Sequence, residues 1–266
     1  MDLKKKNWSG KIDSVKIKDC LSIKKQIEID GLKIDYWINI LNRESPNLVV
    51  NIPGVGDNGL KDLKYFSEAF DSGPFFNVIT FSNPKPYVPE TVTKSVYGML
   101  SNIGNEIPKS KAIILHAYSQ GGVATWDLLN NGSVLKEFPV KGVIFQVPLI
   151  NKENSSLLLR MSVNHLDKLI GKFVQDSEKW KQEMGSALET NIEINPKIET
   201  PTLLIRFDND KLIDYKSTEG VLKRSFTNVK MVDFKSNRQM AGHDTDDWVS
   251  VMKAEIKFME DCFSEK

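Results

Sequence analysis

Apolar positions along the chain repeat first with a period of two, then in short unbroken runs, with helical spacing between the runs. Residues 21–29 and 32–41 alternate, and Asp30-Gly31 joins them. That dipeptide between two alternating segments predicts a tight hairpin. Residues 47–52 form a continuous apolar run of the kind buried on both faces of a central sheet. The glycine-rich stretch Gly54-Val-Gly-Asp-Asn-Gly59 follows as a turn. Residues 60–70 have helical spacing through Leu63, Phe66 and Phe70, with Gly73 as the stop. Residues 77–81 predict the next strand. Asn83-Pro-Lys-Pro-Tyr-Val-Pro89 is then a loop that cannot pair inside a sheet. A helix is predicted over 90–103, a strand over 111–117, and a helix from Gln120 through Val123, Trp126, Leu128 and Leu129, with Gly132 as its stop. Residues 141–147 predict another buried strand, closed by Pro148.

Beyond Pro148 the rhythm breaks. Residues 151–195 are polar and mainly helical, with candidate helices at 157–161, 165–173 and 177–188. The rhythm resumes with a strand over 202–206, a helix over 215–225, a strand over 229–234 and a closing helix over 245–263. In that last helix Trp248, Val249, Met252, Ile256, Met259 and Phe263 share one apolar face. An opening hairpin followed by alternating strands and helices argues for an α/β protein with a doubly wound, mostly parallel sheet. At 266 residues the expectation is a single domain, 1–266, with 151–195 as an insertion within it.

Composition narrows the function classes without choosing one. Hydrophobic residues make up 40% of the chain, enough for a substantial core, and the net charge of +1 gives no pull toward nucleic acid or an anionic surface. Two cysteines, Cys20 and Cys262, make no disulfide framework and read as reduced thiols of a cytoplasmic protein. The basic stretch at residues 4–6 is not followed by an apolar run, so no signal peptide is expected, and no run approaches a membrane span.

The chemistry concentrates in Lys111-Ala-Ile-Ile-Leu-His-Ala-Tyr-Ser-Gln-Gly-Gly-Val123, where a predicted strand reverses into a predicted helix at Ser119. Such a turn is sharp and strained, and it needs small neighbours because helix and strand backbones come close. Ala117, Gly121 and Gly122 supply them. A serine in this position faces the N–H groups of a helix N-terminus. This stretch resembles the G-x-S-x-G nucleophile elbow of the α/β-hydrolase superfamily, with Ala117 replacing the first glycine. The resemblance extends over roughly residues 21–263. It implies the α/β-hydrolase fold, with 151–195 as a small helical cap inserted after the sixth strand.

The same resemblance implies the remaining parts. A serine nucleophile needs a base to take its proton and an acid to orient the base, in the family's order Ser, Asp or Glu, His. Of three histidines, His243 in Met240-Ala-Gly-His-Asp244 follows the last strand and resembles the family's histidine loop. His116 reads instead as a core histidine and His165 as a residue of the insertion. The acid belongs after the strand over 202–206, where Phe207-Asp-Asn-Asp-Lys-Leu-Ile-Asp214 offers Asp208, Asp210 and Asp214. The family's Gly-x-x-Asp-x-x-Val/Ile spacing selects Asp210, with Asp208 as the alternative and Phe207 in the glycine place. Pro53-Gly-Val-Gly-Asp57 is similar to the family's His-Gly-x-Gly-Asp loop. It implies an oxyanion hole from the backbone N–H groups of Val55 and Gln120.

The expected activity is hydrolysis of a carboxylic ester through Ser119, Asp210 and His243. The substrate is a small acyl molecule, and the chemistry requires no metal or organic cofactor. A peptidase or thioesterase shares every motif. A hydrolase-fold binding protein is the reading from a different class, kept open by the replacements at Pro53, Ala117 and Phe207.

Overall fold

A computed structural model of the chain describes residues 21–54, 75–84, 89–103, 112–130, 133–150, 155, 197–208, 210, 213–235 and 248–264. The predicted helix over 60–70, most of the 151–195 insertion, Cys20, Val55, His165 and His243 lie outside them.

The chain opens with β1 (Leu21–Ile29) and β2 (Leu32–Ile40), paired antiparallel from Leu21↔Ile40 to Ile29↔Leu32. Asp30 and Gly31 connect them at φ 52° and 77°, the two left-handed residues that a two-residue hairpin of this hand demands. The elements that follow are β3 (Asn47–Ile52), β4 (Asn77–Phe81), α1 (Pro89–Ser101), β5 (Ala112–Tyr118), α2 (Gly121–Asn130), the short α3 (Ser133–Glu137) and β6 (Val140–Gln146). Then come β7 (Thr202–Phe207), α4 (Tyr215–Ser225), β8 (Val229–Phe234) and α5 (Trp248–Ser264). Among the described residues, eight strands form one sheet in the order β1-β2-β4-β3-β5-β6-β7-β8, parallel from β4 onward. No helix among these residues is long and apolar enough to cross a membrane.

The unbroken apolar runs have a direct reason: β3, β4 and β5 are buried on both faces. Alternate residues feed two cores. Leu48, Val50, Ile52, Ile113, Leu115 and Ala117 pack with Val92 and Met99 of α1 and Trp126 of α2 on one face. Val49, Ile114, Ile144, Leu203 and Ile205 pack with Met252, Ile256 and Met259 of α5 on the other. The buried stripe of α5 also takes in Val251, Glu255, Phe258 and Cys262, which is wider than the spacing alone predicts.

His116 is a core histidine, as expected. It is fully buried, with Nδ1 2.9 Å from Asn51 Oδ1 and Nε2 3.2 Å from Glu255 Oε1. Polar groups in a dry interior must be paired, and this pairing ties β3, β5 and α5 together across an otherwise apolar layer.

The strand order fixes where a ligand can enter. From β3 the chain steps outward to β4, then returns past β3 to β5. The direction of travel across the sheet reverses there, so the carboxyl ends of β3 and β5 mark the topological switch point, where sheets of this kind bind ligands. Gly54 stands at the end of one and Ser119 at the end of the other.

Candidate active site

Ser119 sits in the turn between β5 and α2 at φ 51°, a left-handed conformation that costs a non-glycine residue about 1–2 kcal/mol. Backbone hydrogen bonds hold it there. Its N–H donates to the Gln146 carbonyl at 3.0 Å, and its own carbonyl accepts from Gly122 at 3.0 Å and Leu149 at 2.9 Å. The second of these depends on a matching bend at Val147, φ 44°, which returns the chain from β6 toward the elbow. A positive φ at a β-branched residue is a marked outlier, and the sequence carries no sign of it beyond the following Pro148.

The small residues around Ser119 have separate reasons. A Cβ on Gly121 would lie 2.2 Å from the Ile52 carbonyl oxygen, and one on Gly122 2.5 Å from that of Leu149. The first glycine lets α2 start against the exit of β3; the second lets it pass the segment after β6. Ala117, in contrast, is an ordinary strand residue between Ile52 and Phe145, its methyl buried in the core, so a glycine is not required. Gln120 is fully buried at the start of α2, where the helix dipole favours negative charge.

Pro53 and Gly54 leave β3 buried beside this elbow. A Cβ on Gly54 would lie 2.9 Å from Ser119 Cβ and 3.1 Å from Tyr118 Cδ1. Glycine at this position allows the close approach to the serine. Val55, the expected oxyanion donor, and His243, the expected base, lie outside the described residues.

The aspartates after β7 separate by environment. Asp208 is exposed. Asp214 is the N-cap of α4, its Oδ1 accepting from Lys216 N at 3.1 Å and Ser217 N at 3.2 Å. Asp210 is half-buried, with Oδ1 accepting from Ile213 N–H and Oδ2 from the Tyr215 hydroxyl, both at 3.3 Å. Of the three, Asp210 alone combines partial burial with donors that orient its carboxylate, at the same sheet edge as Ser119 and two strands away. Phe207 ends β7 fully buried and packs on Phe234 at 5.9 Å between ring centroids, which accounts for a large residue in the glycine place. From the predicted cap, Ser155 is described: it is buried and bridges Ile213, beside the Asp210 turn.

Tyr215 is a partner of Asp210 that the sequence does not mark, because nothing in a helix-opening tyrosine signals a bond back to that carboxylate. Burial first, and the Asp210 carboxylate second, push its phenol far above the ordinary range. It therefore remains a donor throughout the neutral range. Tyr215→Phe is expected to lower kcat about tenfold, the lower end of the value of a hydrogen bond to a charged carboxylate. The raised phenol also makes a stability prediction. The unfolded tyrosine ionises near pH 10 while the folded one keeps its proton, so stability is fully present below about pH 10 and falls above it by about 1.4 kcal/mol per pH unit. Urea titrations at rising pH should show that slope in the native chain and a shallower one in Tyr215→Phe.

The strand order, the reversal at Ser119 and the aspartate-bearing turn after β7 define the α/β-hydrolase fold, and this chain has it. No family model matches the sequence and no curated protein matches it. Solved structures do. Est1E from Butyrivibrio proteoclasticus superposes with a TM-score of 0.63 at 15% identity, covering 91% of this chain and 99% of that one. The Pyrococcus furiosus esterase PF2001 gives 0.64 at 15% identity, covering 92% of each. The serine hydrolase CCSP0084 from Cycloclasticus zankles gives 0.59 at 14% identity, covering 92% of this chain and 100% of that one.

Proposed function

We propose that the protein is a serine hydrolase that cleaves a carboxylic ester of a small acyl substrate. The observation that carries this reading is Ser119 at φ 51°, held by backbone hydrogen bonds at the topological switch point. A strained residue retained at that position is the arrangement a nucleophile requires. The esterases among the structures of like fold support an ester as the substrate class.

In this reading His243 takes the Ser119 proton as Oγ attacks the acyl carbonyl. The N–H groups of Gln120 and Val55 hold the developing oxyanion. The leaving alcohol departs with the proton from His243, and water activated by the same histidine releases the acyl group. Asp210 keeps the imidazole in its productive tautomer and stabilises the imidazolium. Tyr215 holds Asp210.

The test is reaction of the purified chain with a fluorophosphonate, followed by peptide mapping. Modification at Ser119, lost in His243→Ala, is the expected result. A folded protein that does not react overturns the reading. A reactive protein then warrants a panel of esters, thioesters and aminoacyl amides, and preference for either of the last two would replace the ester assignment.

A further inference from the structure

Pro148 interrupts the hydrogen-bond ladder beside Ser119. β5 and β6 pair in parallel up to Tyr118↔Gln146. The Ser119 N–H continues that pattern by donating to the Gln146 carbonyl at 3.0 Å. In a regular parallel ladder the carbonyl of the same residue accepts from the residue two places further along the partner strand. That residue is Pro148, which has no N–H. The Ser119 carbonyl accepts instead from Leu149 at 2.9 Å. One more residue must then fit into the same span, and Val147 takes it up by bending to φ 44°. This conformation is unfavourable twice over. A β-branched residue resists positive φ, and a residue before proline is biased to extended backbone. What holds it is burial: the Val147 side chain is fully enclosed in the apolar cluster that includes Ile205 and Phe207 of β7.

We propose that Val147 is the positioning residue of the nucleophile: its bend sets the Leu149 N–H against the Ser119 carbonyl and so keeps Ser119 at the angle from which it attacks. Ser119 lies at φ 51°, a conformation that a non-glycine residue leaves unless something holds it. Its N–H and its carbonyl are both bonded to the segment 146–149. The two strained residues are joined through these bonds, and neither can relax without stretching them. Strain that persists beside a reactive residue marks preorganisation of this kind. Gly122 makes room for the clamp, since a Cβ there would lie 2.5 Å from the Leu149 carbonyl oxygen and 2.9 Å from Pro148 Cβ.

The proposal rests on the serine-hydrolase reading, and the experiment separates the two. The rate of Ser119 phosphonylation by a fluorophosphonate, kcat and KM for p-nitrophenyl acetate, and Tm are measured on the full chain, on Val147→Ala and on Val147→Gly. Alanine keeps the strain but loses the branch that anchors it, so the bend relaxes. Both rates are expected to fall by about 10- to 100-fold at unchanged KM. Glycine adopts positive φ as readily as negative, so it keeps the bend and recovers most of the lost rate, although it removes more of the side chain and lowers Tm further. A residue that only packs gives the reverse order. Glycine as slow as alanine or slower, or native rates in both, overturns the proposal. If either variant does not fold, Gly122→Ala decides: its methyl presses the same segment away from Ser119 and leaves Val147 intact. The same loss of both rates at unchanged KM is expected there, and native rates overturn the proposal. A native chain that does not react removes the hydrolase reading and the proposal with it, and that outcome is visible before any variant is made.

Discussion

Replacing Ser119 with glycine is expected to abolish ester turnover, a loss of at least about 10⁴-fold in kcat, while raising the unfolding free energy by about 0.5–1 kcal/mol. Both effects come from one angle. At φ 51° the serine Cβ crowds its own backbone, and relief of that strain is worth about 1–2 kcal/mol. Against it stands the extra freedom of an unfolded glycine, roughly 0.5–1 kcal/mol. The hydrogen bonds that hold the turn use the Ser119 N–H and carbonyl, which glycine keeps. Ser119→Ala is the control: it loses the hydroxyl but retains the Cβ, so turnover disappears without the gain in stability. Urea denaturation and ester hydrolysis on the three proteins check both halves. A glycine variant less stable than the native chain would remove the strained elbow, and turnover retained in a clean preparation would remove Ser119 as nucleophile.

Gly121→Ala is expected to act in the opposite direction, lowering stability by about 3 kcal/mol or more and Tm by roughly 10 °C. The new Cβ would meet the Ile52 carbonyl oxygen at 2.2 Å, the Ile52 carbonyl carbon at 2.9 Å and the Pro53 oxygen at 3.0 Å. All three are backbone atoms, so no side chain can rotate aside. Either α2 lifts off the sheet or the exit of β3 moves, and β3 carries Gly54 against Ser119. Turnover by the folded fraction should therefore fall as well, by about tenfold or more. Gly220→Ala provides the contrast: in α4 its nearest neighbour would be Arg224 Nη1 at 3.5 Å, and alanine there should gain about 0.5–1 kcal/mol of helix propensity. Thermal melts of both variants check the pair. Equal Tm values would mean that the close approach of α2 to β3 does not exist.

The two glycines differ in what was legible beforehand. Gly121 stood out because a strand-to-helix reversal at a serine requires small residues. The reason it cannot vary, a carbonyl of a strand some seventy residues earlier, is a contact between segments that no local pattern encodes. Tyr215 and Asn83 were unmarked for the same reason. A tyrosine at the start of a helix and an asparagine before a proline both read as ordinary local choices. Each finds its hydrogen-bond partner on another element or turn, Asp210 for one and Gly54 for the other.

Periodicity alone specified the architecture, because burying a strand on one face or on both leaves different marks. Alternation gave the edge hairpin, unbroken runs gave the central strands, and Asp30-Gly31 and the glycines after Ser119 marked the backbone turns. The order of chemically capable residues along the chain was equally local information. What tertiary structure alone decided is which of these residues meet. The return of β5 to the side of β3 sets the switch point and brings Gly54 against Ser119. Burial and the Tyr215 hydroxyl separate Asp210 from its neighbours Asp208 and Asp214. Spacing within a segment is set by helix and strand geometry and is written in the sequence; proximity between segments is set by packing the two faces of the sheet at once, and it exists only in the folded chain.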